Sequence, residues 1–259
     1  MSIEHKMMQK TMPVLDIFDH MENTLIEVVA SSVHSCIEAE RGGAGRIELC
    51  TALATAGLTP GPALLEEVKK YVSIPVFVMI RPREGDFCYD NRELDLFKRE
   101  IEILQQHGAD GFVFGLLNEQ NRIDIVRTRM LVEFCRPYPV TFHRAIDCTP
   151  DPISSVQEVI ETGCSRILTS GGAPTGPEGI NTIRAMHERS GGKINIMPGG
   201  GIRPDTFSGV LTRGISEYHL SGRVAVAAKN QTSLFDMSRF ETSSGEIGKV
   251  REMLSAFNA

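Results

Sequence analysis

The chain has 259 residues, 41% hydrophobic and 23% charged, a composition that suits a globular protein of one large or two modest domains. Its 27 basic and 33 acidic residues give a net charge of −6 with no Lys/Arg cluster, and it has no Trp, so no nucleic-acid footprint is present. No apolar run approaches the roughly 18 residues that span a bilayer. The first 23 residues carry acids among their apolar positions and read as a loosely ordered tail rather than a secretory signal. Six cysteines, none in a C-x-x-C pair, are too sparse for a disulfide scaffold and fit a reducing compartment. The expected location is cytosolic, with the nucleus also open to it.

In chain order the dominant signal is alternation of short apolar or β-branched runs with helix-periodic stretches. Strands are expected at 25–30, 46–50, 75–80, 111–114, 139–143, 166–169, 194–197 and 217–220. The clearest helix covers 91–107, where Leu94, Phe97, Ile101 and Leu104 share one face. Asp151-Pro152 opens another, with the acid as cap and proline in the first turn. Gly43, Gly108, Gly163 and Gly214 each precede a strand by two or three residues, one helix-closing joint repeated four times. Eight strands and four such joints predict an α/β fold, a single (β/α)₈ TIM barrel over 24–259. An open doubly wound sheet would show G-x-G-x-x-G after its first strand, and VASSVHSC has none. The polar stretch 229–245 reads as a mobile loop before a final helix near 246–257.

Barrel active sites form at the carboxyl ends of the strands. Those positions carry Glu27, Arg46, Glu48 and Cys50, then Arg81, Arg83, Asp86 and Cys88. They continue with His143, Arg144, Asp147 and Cys148, then Thr169 and Ser170, then Gly199, Gly200 and Gly201, and finally His219 and Ser221. Glu27, Arg46 and Glu48 read equally well as a buried ion network and as a site. His143 and His219 on one rim, with Glu27 and Glu48, are the candidate catalytic groups. The arginines suit an anionic ligand, and the Gly199–Gly201 turn with Ser221 suits phosphate. Cys36, Cys135 and Cys164 fall in or at the ends of helices as small hydrophobes, whereas Cys50, Cys88 and Cys148 fall on the rim, where thiolates suit Cu(I).

The runs AERGGAGRIELC, IPVFVMIRPREGDFCY, PVTFHRAIDC, RILTSGG, MPGGGI and EYHLSGR stand in collinear order from Leu25 to Arg223 and resemble the CutC family of copper homeostasis proteins. The resemblance implies a (β/α)₈ barrel, a cytosolic location and copper handling, with Cu(I) as the bound metal through cysteine: Cys50 as anchor and Cys88 or Cys148 assisting. Two positions depart from the family: Val29 stands where a cysteine is common, and Cys148 where a methionine is common. Val29 therefore removes one thiolate of a linear Cu(I) pair. Two functions follow. The resemblance points to a copper-binding protein; the rim arginines, carboxylates and glycine turn point instead to an enzyme acting on a phosphorylated or carboxylated metabolite. The expected partners are a copper ion or a small anionic metabolite, with neither nucleic acid nor membrane. The assembly state is open, dimers being commonest.

Overall fold

The computed structural model describes residues 24–226 and 239–258. The expected tail 1–23 and most of the expected loop 229–245 lie outside them. Eight parallel strands follow one another around a sheet: β1 (Leu25–Ala30), β2 (Arg46–Leu49), β3 (Val76–Met79), β4 (Gly111–Phe114), β5 (Val140–Phe142), β6 (Arg166–Thr169), β7 (Asn195–Pro198) and β8 (Glu217–Leu220). The hydrogen-bonded order is β7-β6-β5-β4-β3-β2-β1-β8. β7 and β8 meet at the seam through side chains, where Asn195 Nδ2 donates to Glu217 Oε1 at 2.8 Å. The eight predicted strands are therefore present as a nearly closed TIM barrel.

Helices α1 (Val33–Arg41), α2 (Pro62–Lys69), α3 (Asn91–Gln106), α4 (Ile125–Cys135), α5 (Pro152–Thr162), α6 (Ile180–Ser190) and α7 (Pro204–Val210) connect the strands. Leu94, Phe97, Ile101 and Leu104 of α3 are buried, and Asp90 and Glu93 close a capping box at its start. Asp151 caps α5 as expected, accepting from the Ile153 and Ser154 N–H groups. The four repeated joints place Gly43, Gly108, Gly163 and Gly214 at φ of +85° to +92°, where a side chain would be strained. None of the helices among the described residues is long and apolar enough to cross a membrane.

Part of the polar stretch read as loop forms a strand, β10 (Arg239–Thr242), antiparallel to β9 (Arg223–Val226). The Arg223 guanidinium stacks over Phe240 at 4.7 Å, which gives the hairpin a local reason to pair despite its polar sequence. Helix α8 (Ser244–Asn258) then packs on α1, Ser244 Oγ donating to Glu38 at 2.7 Å.

The barrel axis is charged as well as apolar. Arg46 binds both Glu27 and Glu217, while Arg166 Nε donates to Glu217 at 2.9 Å and its Nη1 to Thr141 at 3.3 Å. Both guanidiniums lie against the Phe77 ring, Arg46 at 4.9 Å and Arg166 at 5.0 Å from its centroid. The ring has room because Gly111 on the next strand has no side chain; a Cβ there would sit 2.7 Å from it. Gly111→Ala is therefore expected to cost about 1–3 kcal/mol through overpacking, measurable as a lower urea midpoint.

Candidate functional site

Above this charged layer the strand ends enclose a cavity of about 550 Å³, lined in part by Glu48, Arg81, His143, Arg144, His219 and Ser221. Each arrives by a separate route. Glu48 is the inward residue of β2, opposite Val29 in register. His219 is the register partner of Glu27 on β8, and His143 follows β5 directly.

Glu27, Glu48 and His219 come together: one ligand atom from each lies within 4.8 Å of the others. His219 Nδ1 is 2.7 Å from Glu27 and 4.0 Å from Glu48 Oε2. Burial would raise the Glu27 carboxyl, but the Arg46 charge and the His219 hydrogen bond outweigh it and bring it down to about 2. Glu48 has no such hydrogen bonds. Burial, reinforced by the neighbouring Glu27 charge, pushes it up to about 7 despite the attraction of His219 and Arg46. For His219, burial opposes protonation, but the Glu27 hydrogen bond and the Glu48 charge raise its affinity for a proton. Glu27 itself is fully buried and is not part of the cavity wall, so it orients His219 rather than facing a ligand.

On the opposite side, burial followed by the Arg81 charge lowers the His143 imidazole to about 3. Arg81 is buried, its guanidinium held by the carbonyls of Thr55 (2.6 Å), Gly57 (3.0 Å) and Gly85 (2.9 Å). Arg144 Nε donates to Asp147 at 2.9 Å and its Nη2 to Ser170 Oγ at 2.5 Å. Asp147 also accepts from Thr169 Oγ1 and from the N–H groups of Ser170 and Gly172. Asp147, Thr169 and Ser170 thus form a bracket that aims Arg144.

The glycine turn divides in use. Gly200 and Gly201 line the cavity at φ +82° and +68°. Gly199 donates its N–H to Thr169 O at 2.9 Å, and a Cβ there would come 2.4 Å from Leu168, so its role is close packing. Arg46 belongs to the charged layer beneath the cavity. Arg83 and Asp86 pair with each other at 3.1 Å, and Arg83 also binds Glu93 of α3, so both brace the β3–α3 loop outside the cavity wall. Sequence reasoning missed Arg166 and Glu217, although each stands two positions before an inward rim residue on its strand and so shares its face. It also missed the wall made by Leu53, Ala54 and Ala56, a short turn flanked by Ala52 and Ala56 at positive φ.

The three rim cysteines do not converge. Cys50 is fully buried in an apolar cluster with Phe77, Met79 and Val113, and burial, then the Glu48 charge, pushes its thiol well above the usual range. Cys88 lies in the β3–α3 loop, its carbonyl accepting from Arg83 at 2.8 Å, outside the cavity wall. Cys148 is exposed and lines the cavity, its thiol raised by burial and by Asp147. Among the described residues, no group of three His, Cys, Asp or Glu side chains close enough to share a metal includes a cysteine. The preformed cluster is oxygen and nitrogen, a donor set that does not fit Cu(I).

Comparison with known proteins places this architecture. The CutC family model matches residues 24–224. A mouse protein named copper homeostasis protein cutC homolog is 46% identical over 200 residues, 77% of this chain and 74% of its own. A CutC family protein of Chromobacterium violaceum is 37% identical over 241 residues, 89% of this chain and 98% of its own. A CutC crystal structure from Streptococcus agalactiae superposes with a TM-score of 0.72 at 30% identity, covering 76% of this chain and 98% of that one. With a family model that spans all eight barrel strands and a relative 46% identical over 200 residues, the chain belongs to the CutC family.

Proposed function

We propose that the strand-end cavity binds a small phosphorylated or carboxylated metabolite and that Glu48 and His219 exchange a proton with it. The observation that carries this reading is Glu48: a buried carboxyl on the cavity wall whose Oε2 has no hydrogen-bond partner and whose proton leaves near pH 7. Arg81, held by carbonyls rather than a carboxylate, and the bracketed Arg144 supply fixed positive charge for the anionic group. The backbone of Gly200 and Gly201 leaves room beside them. All six cysteines are free, which supports a reducing, cytosolic setting.

Millimolar phosphate or citrate is expected to raise the melting temperature by ligand linkage. Gly200→Val should abolish the rise, because a Cβ at 200 already meets Arg144 Nη1 at 3.0 Å and the left-handed φ resists branching. A melting temperature indifferent to both anions would remove the proposal's support.

Copper enters as a second reading through the relatives named for copper homeostasis, with one observation in its favour: Cys148 offers an exposed thiol on the cavity wall. Copper is then cargo, met at the mouth, while Cys50 stays protonated beneath the turn after β2, where a Cβ at Gly57 would come 3.3 Å from its sulfur. Anaerobic competition against a Cu(I) chelator should show binding lost in Cys148→Ser and retained in Cys50→Ser. The reverse result would restore Cys50 as anchor. Val29 packs against the Cys50 cluster, so Val29→Cys should strengthen Cu(I) binding if Cys50 is the anchor and leave it unchanged if Cys148 is.

A further inference from the structure

Six buried side-chain polar atoms lack a hydrogen-bond partner among the described residues. Thr128 Oγ1, Glu158 Oε2 and Tyr89 Oη (which faces Arg81) lie away from the cavity, and the other three belong to side chains on its wall: Glu48 Oε2, Arg81 Nε and His143 Nε2. One is an acceptor and two carry N–H donors. Buried groups of this kind are nearly always satisfied in native proteins, so three around one cavity point to a ligand with a matching pattern.

The donor side is rigid and its chemistry is defined. The Ala145 N–H donates to His143 Nδ1 at 3.3 Å, which leaves the imidazole proton on Nε2. The ring packs edge-on against Phe87 at 4.9 Å, and Gly115 makes room for it, since a Cβ there would fall 2.6 Å from Nδ1. Burial and the Arg81 charge keep it neutral. The Arg81 guanidinium stacks on the same Phe87 ring at 5.1 Å, with three backbone carbonyls fixing its terminal nitrogens. Phe87 thus carries two N–H donors, one neutral and one cationic.

We infer that His143 Nε2–H and Arg81 Nε–H bind the carbonyl oxygen of the substrate while Glu48 removes a proton from the adjacent carbon. The inference rests on the binding reading above and names its substrate class: a small anionic compound with a C–H next to a carbonyl. Glu48 carboxylate takes the proton, the C–H electron pair becomes a C=C bond, and the carbonyl π pair moves to oxygen as an enolate. The two donors hold that oxygen, and a neutral imidazole stabilises it without surrendering its own proton. Glu48 then returns the proton to the same carbon, on the same or the opposite face, so the products are an exchanged or epimerised carbonyl compound. Nothing is oxidised, and no co-reactant is consumed.

The test is hydrogen exchange in D₂O. The full chain is incubated with a deproteinised metabolite extract of bacterial cells, and mass spectrometry reads deuterium fixed at carbon. At least one anionic carbonyl compound should gain deuterium, about 100-fold or more slowly with Glu48→Gln or His143→Gln. Imidazole ¹⁵N shifts of the wild-type protein, which no folding defect can confuse, should show His143 neutral and protonated on Nε2 from pH 5 to 8. Deuterium missing from every carbonyl compound, while the extract still raises the melting temperature, overturns the inference and leaves the anion-binding reading standing; if neither responds, both fall. Exchange that survives His143→Gln, or a His143 protonated on Nδ1 at pH 7, overturns the donor assignment.

Discussion

Arg46→Ala is expected to remove about 3–5 kcal/mol of stability, because it strands two carboxylates inside the barrel. The Arg46 guanidinium binds Glu27 and Glu217, touches Met197 Sδ at 3.4 Å and covers one face of Phe77. Arg166 still reaches Glu217 in the variant, but Glu27 keeps only His219. For a chain of this size the loss corresponds to a fall of roughly 6–20 °C in melting temperature. Its pH dependence follows from Glu27, which is brought down to about 2 in the folded protein. A lowered carboxyl contributes stability above its unfolded value, and that contribution is lost as pH falls towards 2. The deficit of Arg46→Ala should therefore be widest near pH 7 and narrow towards pH 4, where the stranded carboxylates can take protons. Arg46→Met, which refills the volume, should recover little unless Glu27→Gln accompanies it. Urea denaturation at pH 4 and pH 7 decides the matter, and a loss below 1 kcal/mol at pH 7 would mean that the network does not hold the barrel together.

The strands were legible because apolar or β-branched residues fill or alternate through each short buried run, with a glycine joint before four of them, even though β2, β6 and β8 carry charges inside the run. The site was legible in composition and not in depth. Alternation along β2 puts Glu48 and Cys50 on one face, yet Glu48 reaches the cavity while Cys50 is covered by the turn after the strand. Nothing local encodes that turn, which depends on two alanines held at positive φ. Arg81 and Arg83 are two residues apart, but β3 has ended at Met79 and Pro82 separates them, so Arg83 turns outward to Glu93. Arg166 and Glu217 escaped notice because each looks like a lone strand charge until the barrel closes and brings them within 2.9 Å across 51 residues of sequence.

Glu48→Gln should make the protein more stable above pH 7 while removing its proton-exchange chemistry. In the fold the Glu48 carboxyl is raised from 4.5 to about 7, first by burial and then by the Glu27 charge. A raised carboxyl contributes stability that is complete below about 4.5 and lost as pH climbs through 7, because the folded state must then hold a buried charge. That displacement is worth on the order of 1–2 kcal/mol once its coupling to the neighbouring charges is allowed for. His219 is raised as well, so its contribution also declines as pH rises above its ordinary value. The wild-type melting temperature should accordingly fall between pH 5 and pH 8. Glutamine keeps the shape but carries no charge at any pH, so the slope should flatten and the variant should exceed the wild type at pH 8 by roughly 3–6 °C. Near pH 5 the two should differ little, since Glu48 is then protonated in the wild type. Thermal melts across this range read the effect directly. A variant destabilised by the same amount at every pH would show that Glu48 is an ordinary packing residue whose carboxyl stays ionised, and the acid–base role assigned to it would fail with that result.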